Sequence, residues 1–256
     1  MTDSIQITDR GAVREIRIHR PEKKNALNTA MYSQLADAVA QAGAADSVRC
    51  ALFAGSQGAF SSGNDIQDFL NNPASGEDHP VAQFMRVMAD FPKPAVAGVL
   101  GPAVGIGSTL LLHCDLIYAG QGARFMLPFV NLGICPEFAS SLLLPRMMGH
   151  PRAAELTMLA EPFDAAKAYE YGLINAVLDD SAVEESAFAI AEKLAAKPPR
   201  AMRTTKDLLK RWTKAQVQEA IREEAALFMP MLHEPEAREA FSAFVEKRKP
   251  DFSQFV

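Results

Sequence analysis

The stretch from Pro94 to Tyr118 constrains the fold of this chain more than any other part. It begins with a short apolar run, Ala95 to Leu100, between turn residues, which is typical of a buried strand. Gly105 and Gly107 follow, and residues 108–113 are apolar enough for a buried helix. A helix start leaves backbone N–H groups unpaired, and the helix dipole favours a negatively charged oxygen there. The stretch therefore predicts strand, glycine turn and helix, serving either tight packing or anion binding.

The glycine pair does not complete either of the two common phosphate-binding motifs. Gly105-x-Gly107 lacks the third glycine of the dinucleotide fingerprint, and no Lys-Ser or Lys-Thr pair follows it to make a P-loop. An oxyanion hole for a ligand other than a nucleotide phosphate remains open as an interpretation.

Composition limits the class of protein. With 256 residues and 48% hydrophobic content, the chain can bury a full core as one large domain or as one domain with an appendage. The net charge is −5 and no block of like charge stands out, so we expect no nucleic-acid partner. Cys50, Cys114 and Cys135 lie in apolar runs without the spacing of metal ligands, which indicates reduced core residues and no metal site.

The chain carries no pattern typical of membrane or secretory proteins. No apolar run reaches membrane-spanning length, and the first ten residues have neither an apolar secretory core nor the arginine-rich character of a transit peptide. We therefore expect a soluble, cytoplasmic protein without a membrane partner.

Strands and helices alternate up to about residue 180, which predicts an α/β fold. From Ala182 onward the pattern is wholly helical and is broken at Pro198-Pro199. We accordingly predict a core of residues 1–196 and a C-terminal helical region of residues 197–256. Asn71 to Pro80 is rich in turn residues and is predicted to be a mobile insertion.

Four segments, taken in order, resemble one known family: His19-Arg20-Pro21 with Asn25 to Asn28, Ala59 to Ile66, Gly105-Ile106-Gly107, and Asn131 to Glu137. In spacing they are similar to the crotonase superfamily, the enoyl-CoA hydratases and isomerases, and the resemblance covers essentially the whole chain. It implies a spiral of strand–strand–helix turns, and a helical C-terminal part that assembles homotrimers or dimers of trimers. It also implies an acyl-CoA ligand, with coenzyme A as part of the substrate and no separate cofactor.

The resemblance assigns an oxyanion hole to two backbone N–H groups, those of Asn64 and Ile106. Many relatives have glycine at the second position, so the Ile106 side chain must find room elsewhere. Physical chemistry agrees with this role, since a thioester enolate concentrates charge on one oxygen and each preorganised donor is worth about 3 kcal/mol.

The acidic residues distinguish the reactions of the family. Its hydratases carry two glutamates, which would fall at positions 109 and 129, and this chain has Thr109 and Phe129 there. Glu137 instead matches the single glutamate of the Δ3,Δ2-enoyl-CoA isomerases. From the local sequence alone, Glu137 is predicted to begin a helix that runs to Leu144. An acidic residue in the first turn of a helix is explained by the helix dipole without any catalytic role. The resemblance is what favours a catalytic role.

One carboxylate is enough for an isomerase. Glu137 can remove a proton from C2 of a 3-enoyl thioester as a base and return it at C4 as an acid. Phe129 and Ile134 are expected to line the acyl pocket, where apolar surroundings exclude water and raise the pKa of Glu137 toward neutrality.

The resemblance also places substrate and coenzyme A contacts on a set of residues from two regions: Lys24, Ala26, Ser62, Asp65, Ile66, Phe244 and Lys247. Other interpretations remain open for several of them. Asp65 suits a helix cap, Lys24 an ordinary solvated lysine, and Phe244 with Lys247 an amphipathic helix face. In the family, the last two positions reach coenzyme A bound to a neighbouring subunit.

We therefore predict an isomerase that moves a double bond from position 3 to position 2 of an acyl-CoA in unsaturated fatty acid degradation, with residues 71–80 shaping the acyl end of the site. Two alternatives remain open. One is a different crotonase-type reaction, such as hydration or thioester hydrolysis. The other is a catalytically silent acyl-CoA-binding protein, which the loss of both hydratase acids favours.

Overall fold

The computed structural model describes residues 4–72, 76 and 78–255. Within them, nine strands form two sheets: β1 Ile5–Arg10, β2 Val13–Ile18, β3 Cys50–Ala54, β4 Ala95–Val99, β5 Pro102–Val104, β6 Leu116–Gly120, β7 Arg124–Met126, β8 Phe163–Asp164 and β9 Ala176–Leu178. The larger sheet has the order β1-β2-β3-β4-β6-β9 and is parallel except for the β1–β2 hairpin. The smaller sheet has the order β5-β7-β8. The predicted α/β class is confirmed.

Ten α-helices connect and cover the sheets: α1 Thr29–Ala44, α2 Ile66–Asn71, α3 Pro80–Ala89, α4 Ile106–Thr109, α5 Ser140–Met148, α6 His150–Ala154, α7 Ala165–Glu170, α8 Val183–Ala195, α9 Pro199–Met231 and α10 Pro235–Glu246. Short 3-10 turns lie at Pro21–Lys23, Leu110–His113, Val130–Leu132 and Asp180–Ala182, and a π-helical turn extends α6 over Glu155–Leu159. Asn28 caps α1 and Asp164 caps α7 through their side chains.

The central strands are buried on both faces because helices cover each side of the parallel sheet. Along β3, Ala51 and Phe53 face the main core, which α1 and α3 cover, whereas Cys50 and Leu52 face α8. Gly98 of β4 permits close packing, since an added Cβ there would lie 3.2 Å from the Cβ of Ala187 on α8. The alternation of side chains along a strand thus divides the interior into two layers.

The last two helices pack onto this core through a set of buried apolar side chains, namely Val217, Ile221 and Phe228 of α9 and Ala237 and Phe241 of α10. Outward-facing residues of α9 include exposed Leu209 and Trp212. No helix of the described segments has both the length and the apolar character needed to cross a membrane.

Several predicted boundaries differ from the structure. The helix predicted to begin at Glu137 begins at Ser140, because Phe138 and Ala139 adopt left-handed backbone conformations that a helix does not accommodate. The predicted insertion at 71–80 lies partly outside the described residues, at 73–75 and 77; Asn71 ends α2 and Pro80 begins α3.

Candidate active site

The glycine turn at 105–107 connects β5 to α4. Gly105 has a φ of 55° and a ψ of −120°, a conformation that favours glycine, and its carbonyl accepts the N–H groups of Ser108 and Thr109. Ile106 is the first residue of α4, and its N–H has no hydrogen-bond partner among the described residues. Its side chain is buried in the main core, so the extra volume relative to glycine is accommodated away from the turn.

Asn64 presents a second free backbone N–H. Leu27 and Asn64 form an isolated parallel bridge in which the Leu27 N–H donates to Gly63 and the Asp65 N–H donates to Leu27. In such a bridge the residue between the two bonded neighbours points its own N–H the other way. The Asn64 N–H has no partner in the described part of the chain, while its side-chain oxygen accepts a hydrogen bond from the hydroxyl of Tyr32.

The two segments that carry these N–H groups are joined directly. The Ser61 N–H donates to Pro102, and the Val104 N–H donates to Ser61, each over 2.9 Å. Gly107 completes the contact, because an added Cβ there would lie only 2.7 Å from the carbonyl oxygen of Ser61. Backbone pairing therefore brings the segment ending at Asn64 against the turn that precedes α4.

Glu137 lies in a turn that follows Pro136 rather than in a helix. Phe138 has a φ of 61° and Ala139 a φ of 58°. Two consecutive left-handed residues other than glycine store strain of about 1–3 kcal/mol each. The Ser140 hydroxyl donates to the Glu137 carbonyl over 2.6 Å, which closes the turn. The interpretation of Glu137 as a first-turn helix residue is therefore wrong, and the helix dipole does not account for it.

The Glu137 carboxyl group is buried, with 7% of the residue exposed. Thr109, at the end of α4, donates a hydrogen bond of 2.5 Å to Glu137 Oε1. Desolvation raises the pKa of Glu137 to about 8, opposed by the Thr109 hydrogen bond and assisted by the negative charge of Glu224. The expected shift toward neutrality is therefore present. A carboxyl group with this pKa can both accept and donate a proton near pH 7.

The two residues predicted to line the acyl pocket lie in the main core. Phe129 is 4% exposed and Ile134 is 5% exposed, and the Ile134 N–H donates to the Phe129 carbonyl over 3.1 Å. Asn131, between them, donates its side-chain amide to the Ala160 carbonyl over 3.0 Å. Asn131 therefore fixes the loop between these two residues.

The predicted coenzyme A contacts near the N-terminus lie together beside Asn64. The Ser62 N–H donates to the Lys24 carbonyl over 3.0 Å, and Ala26 directly precedes the bridge residue Leu27. Asp65 caps α2, which begins at Ile66, and accepts an ion pair of 2.8 Å from Arg20. The capping interpretation of Asp65 is confirmed; the contacts with coenzyme A stay predictions.

Phe244 and Lys247 lie at the end of α10. Phe244 is exposed and Lys247 ends the helix in a left-handed conformation. The opposite side of α10 packs on the 3-10 turn Val130–Leu132, where a Cβ on Gly133 would lie 2.7 Å from the Ala237 nitrogen. Both predicted residues are thus available to a ligand or to another subunit.

Sequence reasoning missed the contacts that three side chains make around the site. Tyr32 binds the Asn64 side chain, Thr109 binds Glu137, and Glu224 of α9 binds the turn after Glu137. Helical periodicity assigns the first two to buried faces, but nothing in the sequence pairs Glu224 with a turn 85 residues earlier. Among the described residues, no group of three His, Cys, Asp or Glu side chains could hold a metal ion.

Comparison with known proteins finds relatives that match most of this chain. The rat protein enoyl-CoA delta isomerase 2 is 34% identical over 252 residues, covering 96% of this chain and 64% of the relative. This chain therefore spans somewhat less than two thirds of that relative's length. The Escherichia coli 2,3-dehydroadipyl-CoA hydratase is 31% identical over 239 residues, covering 93% of each chain.

Solved structures share the fold. The crystal structure of an enoyl-CoA hydratase/isomerase from Pseudoalteromonas atlantica T6c superposes with a TM-score of 0.94 at 37% identity, covering 98% of this chain and 100% of that one. The family model described as enoyl-CoA hydratase/isomerase matches residues 8–255. The spiral of strand–strand–helix turns, the glycine turn and the buried glutamate thus lie in a chain that belongs to the enoyl-CoA hydratase/isomerase family, the crotonase superfamily.

Proposed function

We propose that this protein converts 3-enoyl-CoA to 2-enoyl-CoA, with Glu137 as the acid/base and the backbone N–H groups of Asn64 and Ile106 as the oxyanion hole. The observation that carries the proposal is the buried Glu137 carboxyl group, bound to Thr109 on the helix that begins at Ile106. The positions at which hydratases of this family carry their glutamates hold Thr109 and Phe129, neither of which can act as a carboxylate base.

The reaction needs one proton carrier. The thioester oxygen accepts hydrogen bonds from the two N–H groups, and Glu137 takes a proton from C2, so that the electron pair moves onto that oxygen as a dienolate. The protonated Glu137 then donates the proton to C4, and the double bond forms between C2 and C3. No atom is gained or lost. The pKa of Glu137, about 8, suits both steps, because proton transfer is most effective when the pKa of the group is near the working pH.

Hydration is the second candidate, because a relative of similar identity is named a hydratase. It requires two groups, one to activate water and one to protonate carbon, and the family positions for them hold a threonine and a phenylalanine. A silent acyl-CoA-binding protein is the third candidate. The buried Glu137, bound to Thr109, and the two free N–H groups of Asn64 and Ile106 argue against it.

We further propose that the protein is a homotrimer or a dimer of trimers, located in the cytoplasm, that acts in the β-oxidation of unsaturated fatty acids. Exposed Leu209 and Trp212 on α9, of which 78% and 81% are accessible, support self-association, since large apolar side chains in a patch mark interaction surfaces. Cys50, Cys114 and Cys135 are unpaired, which supports a reducing compartment.

The test incubates purified protein with 3-enoyl-CoA and follows the conjugated 2-enoyl thioester by absorbance and the product by mass. We expect an isobaric conjugated product, and a loss of about 10²–10⁴-fold in kcat for Glu137→Gln. The matched control is Glu192→Gln, which changes an exposed glutamate of α8 on the other side of the sheet. A product heavier by one water would overturn the proposed isomerase activity and identify a hydratase. Binding of acyl-CoA without any product would identify a catalytically silent binding protein.

A further inference from the structure

We propose that Glu224, on α9, is a positioning residue for Glu137: its carboxylate holds the turn that carries the base and places a second negative charge beside it. This inference rests on the proposed role of Glu137 as the base. It concerns a side chain that is itself buried and that lies in the C-terminal helical region, outside the motifs that define the rest of the site.

Three donors from the turn converge on the Glu224 carboxylate. Its Oε2 accepts the Ala139 N–H over 2.5 Å, and its Oε1 accepts both the N–H and the hydroxyl of Ser141, over 2.9 Å and 2.5 Å. Each oxygen is thereby bound, and both residues that it binds follow Glu137 by only a few positions. Such charge-assisted hydrogen bonds are among the stronger polar contacts in proteins.

The turn needs an external acceptor because it provides no cap of its own. Ala139 occupies the N-cap position of α5 and has no side chain that could accept from the first helical N–H groups. The Glu224 carboxylate takes that place from another helix, where the dipole of α5 favours a negative charge. It also holds the left-handed conformations of Phe138 and Ala139, which fix the direction in which Glu137 points.

A second contact, from the 3-10 turn Leu110–His113, holds the same turn. His113 Nε2 lies 2.9 Å from the Phe138 carbonyl oxygen, and the His113 and Phe138 rings stack with centroids 3.9 Å apart. Burial lowers the pKa of His113 to about 3, so the ring is neutral and its Nε2–H is the donor. The turn is therefore held by the neutral His113 ring and by the Glu224 carboxylate. Burial raises the pKa of Glu224, and the hydrogen bonds from Ser141 and Ala139 oppose this shift because they favour the charged form.

The charge of Glu224 acts on Glu137 directly, since it raises the pKa of the Glu137 carboxyl group. Among the described residues, Tyr32 from α1 and Cys135 from the preceding loop interact electrostatically with the pair, and His113 contacts the same turn at Phe138. Burial raises the pKa values of Tyr32 and Cys135 and lowers that of His113, so none of these groups gains or loses a charge near neutral pH. A change in the titration of Glu137 on substitution of Glu224 is therefore attributable to Glu224.

The test compares wild type with Glu224→Gln, which keeps the size of the side chain but removes its charge and one acceptor. We expect kcat at the pH plateau to fall about 10- to 100-fold, as for a misplaced catalytic group, with KM nearly unchanged. The pH midpoint of kcat/KM should move to lower pH. The matched control is Glu15→Gln, a buried glutamate of β2 that pairs with Arg17; it should leave both quantities unchanged.

A measurement without turnover separates this proposal from the proposed function. In protein with ¹³C-labelled glutamate side-chain carboxyl groups, NMR follows the titration of Glu137, whose signal is identified by its loss in Glu137→Gln. We expect a midpoint near 8 in wild type and a lower one in Glu224→Gln. If wild type does not turn over 3-enoyl-CoA, the proposed function fails, and the lower midpoint still supports the contact between the two carboxyl groups.

An unchanged midpoint together with an unchanged kcat in Glu224→Gln would overturn the positioning role. Should that variant not fold, Ser141→Ala replaces it, since it removes one of the three donors and leaves the charge in place. We then expect kcat to fall about fivefold, the equivalent of one ordinary hydrogen bond, without a shift of the midpoint to lower pH. Wild-type kcat in Ser141→Ala would count against the proposal.

Discussion

Thr109 Oγ1 donates a hydrogen bond of 2.5 Å to Glu137 Oε1 and so connects the helix that begins at Ile106 to the turn that carries the buried glutamate. The resemblance of the sequence to the family predicts that its hydratases carry an acid at position 109. In this chain it holds a hydroxyl group that serves the remaining acid. Thr109 therefore provides a fixed donor for the buried carboxyl group of Glu137.

The first prediction concerns pH. Because Glu137 must be ionised to take a proton from C2, we expect kcat/KM to rise with pH through a midpoint near 8, the pKa of this group. The measurement is the initial rate with 3-enoyl-CoA from about pH 6 to about pH 9.5. A kcat/KM that stays constant over this range would mean that the base is already ionised at its acid end, as a solvated carboxylate with the ordinary pKa of 4.5 would be, and is not the buried Glu137.

Thr109→Val tests the hydrogen bond to the base. Valine keeps the shape of threonine but removes the donor that lowers the pKa of Glu137, so the midpoint of kcat/KM should move to higher pH and kcat should fall about fivefold or more. Thr109→Ser restores the donor and should restore the midpoint. If both variants behave alike, the loss comes from packing rather than from the hydroxyl group.

Gly107→Ala tests the junction between the two segments that carry the free N–H groups. Its new Cβ would lie 2.7 Å from the Ser61 carbonyl oxygen, which forces the turn and the segment before Asn64 apart. Loss of one oxyanion donor costs about 10²–10³-fold in kcat, and we expect an effect of that order. Gly43→Ala in α1 is the control: its nearest contact would be 3.4 Å, and activity should persist.

The burial of Glu137 also predicts how stability depends on pH. The folded pKa, about 8, lies above the ordinary 4.5, so the folded state binds more protons between these values and loses stability as pH rises through them. Glu137→Gln removes this loss, which amounts to a few kcal/mol at about 1.4 kcal/mol per pKa unit. Thermal melts should therefore favour the variant increasingly from acid to alkaline pH. Parallel curves for the two proteins would contradict the buried, neutral glutamate.

Lys247→Gln tests the predicted contact with coenzyme A. We expect KM for 3-enoyl-CoA to rise with kcat unchanged, because a contact with a phosphate binds ground state and transition state alike. The acyl-pantetheine substrate, which has no phosphate, should show no difference. Lys249→Gln, two residues further along the chain, is the matched control. Equal effects on both substrates would mean that Lys247 stabilises α10 and does not bind coenzyme A.

Much of the fold was predictable because it depends on local patterns. The apolar run before the glycine turn is β4, and the alternation of strands and helices up to about residue 180 is present as expected. The small sheet of β5, β7 and β8 was not predicted, since Pro102–Val104 is too short to show a period and depends on pairing with distant residues. Short strands of this kind form because of hydrogen bonds to residues that are distant in the sequence.

The site was predictable in part for the same reason. The free N–H of Ile106 could be predicted because a helix begins directly after a glycine there. The free N–H of Asn64 depends on a backbone bridge to Leu27, which no local sequence pattern predicts. The helix predicted from Glu137 to Leu144 starts late because contacts from Glu224 and His113 hold its first residues in another conformation. Tertiary contacts thus override local preference at the residue that matters most.

The reach of Glu224 back to Ala139, across 85 positions, has a consequence for the order in which this molecule is made. A nascent chain that has emerged only as far as residue 196 contains Asn64, Ile106 and Glu137. It still leaves the N–H groups of Ala139 and Ser141 without their acceptor. The turn around the glutamate can therefore reach its final shape only after most of α9 has been synthesised. The site residues encoded in the first three quarters of the chain thus become fully ordered only during translation of the last quarter.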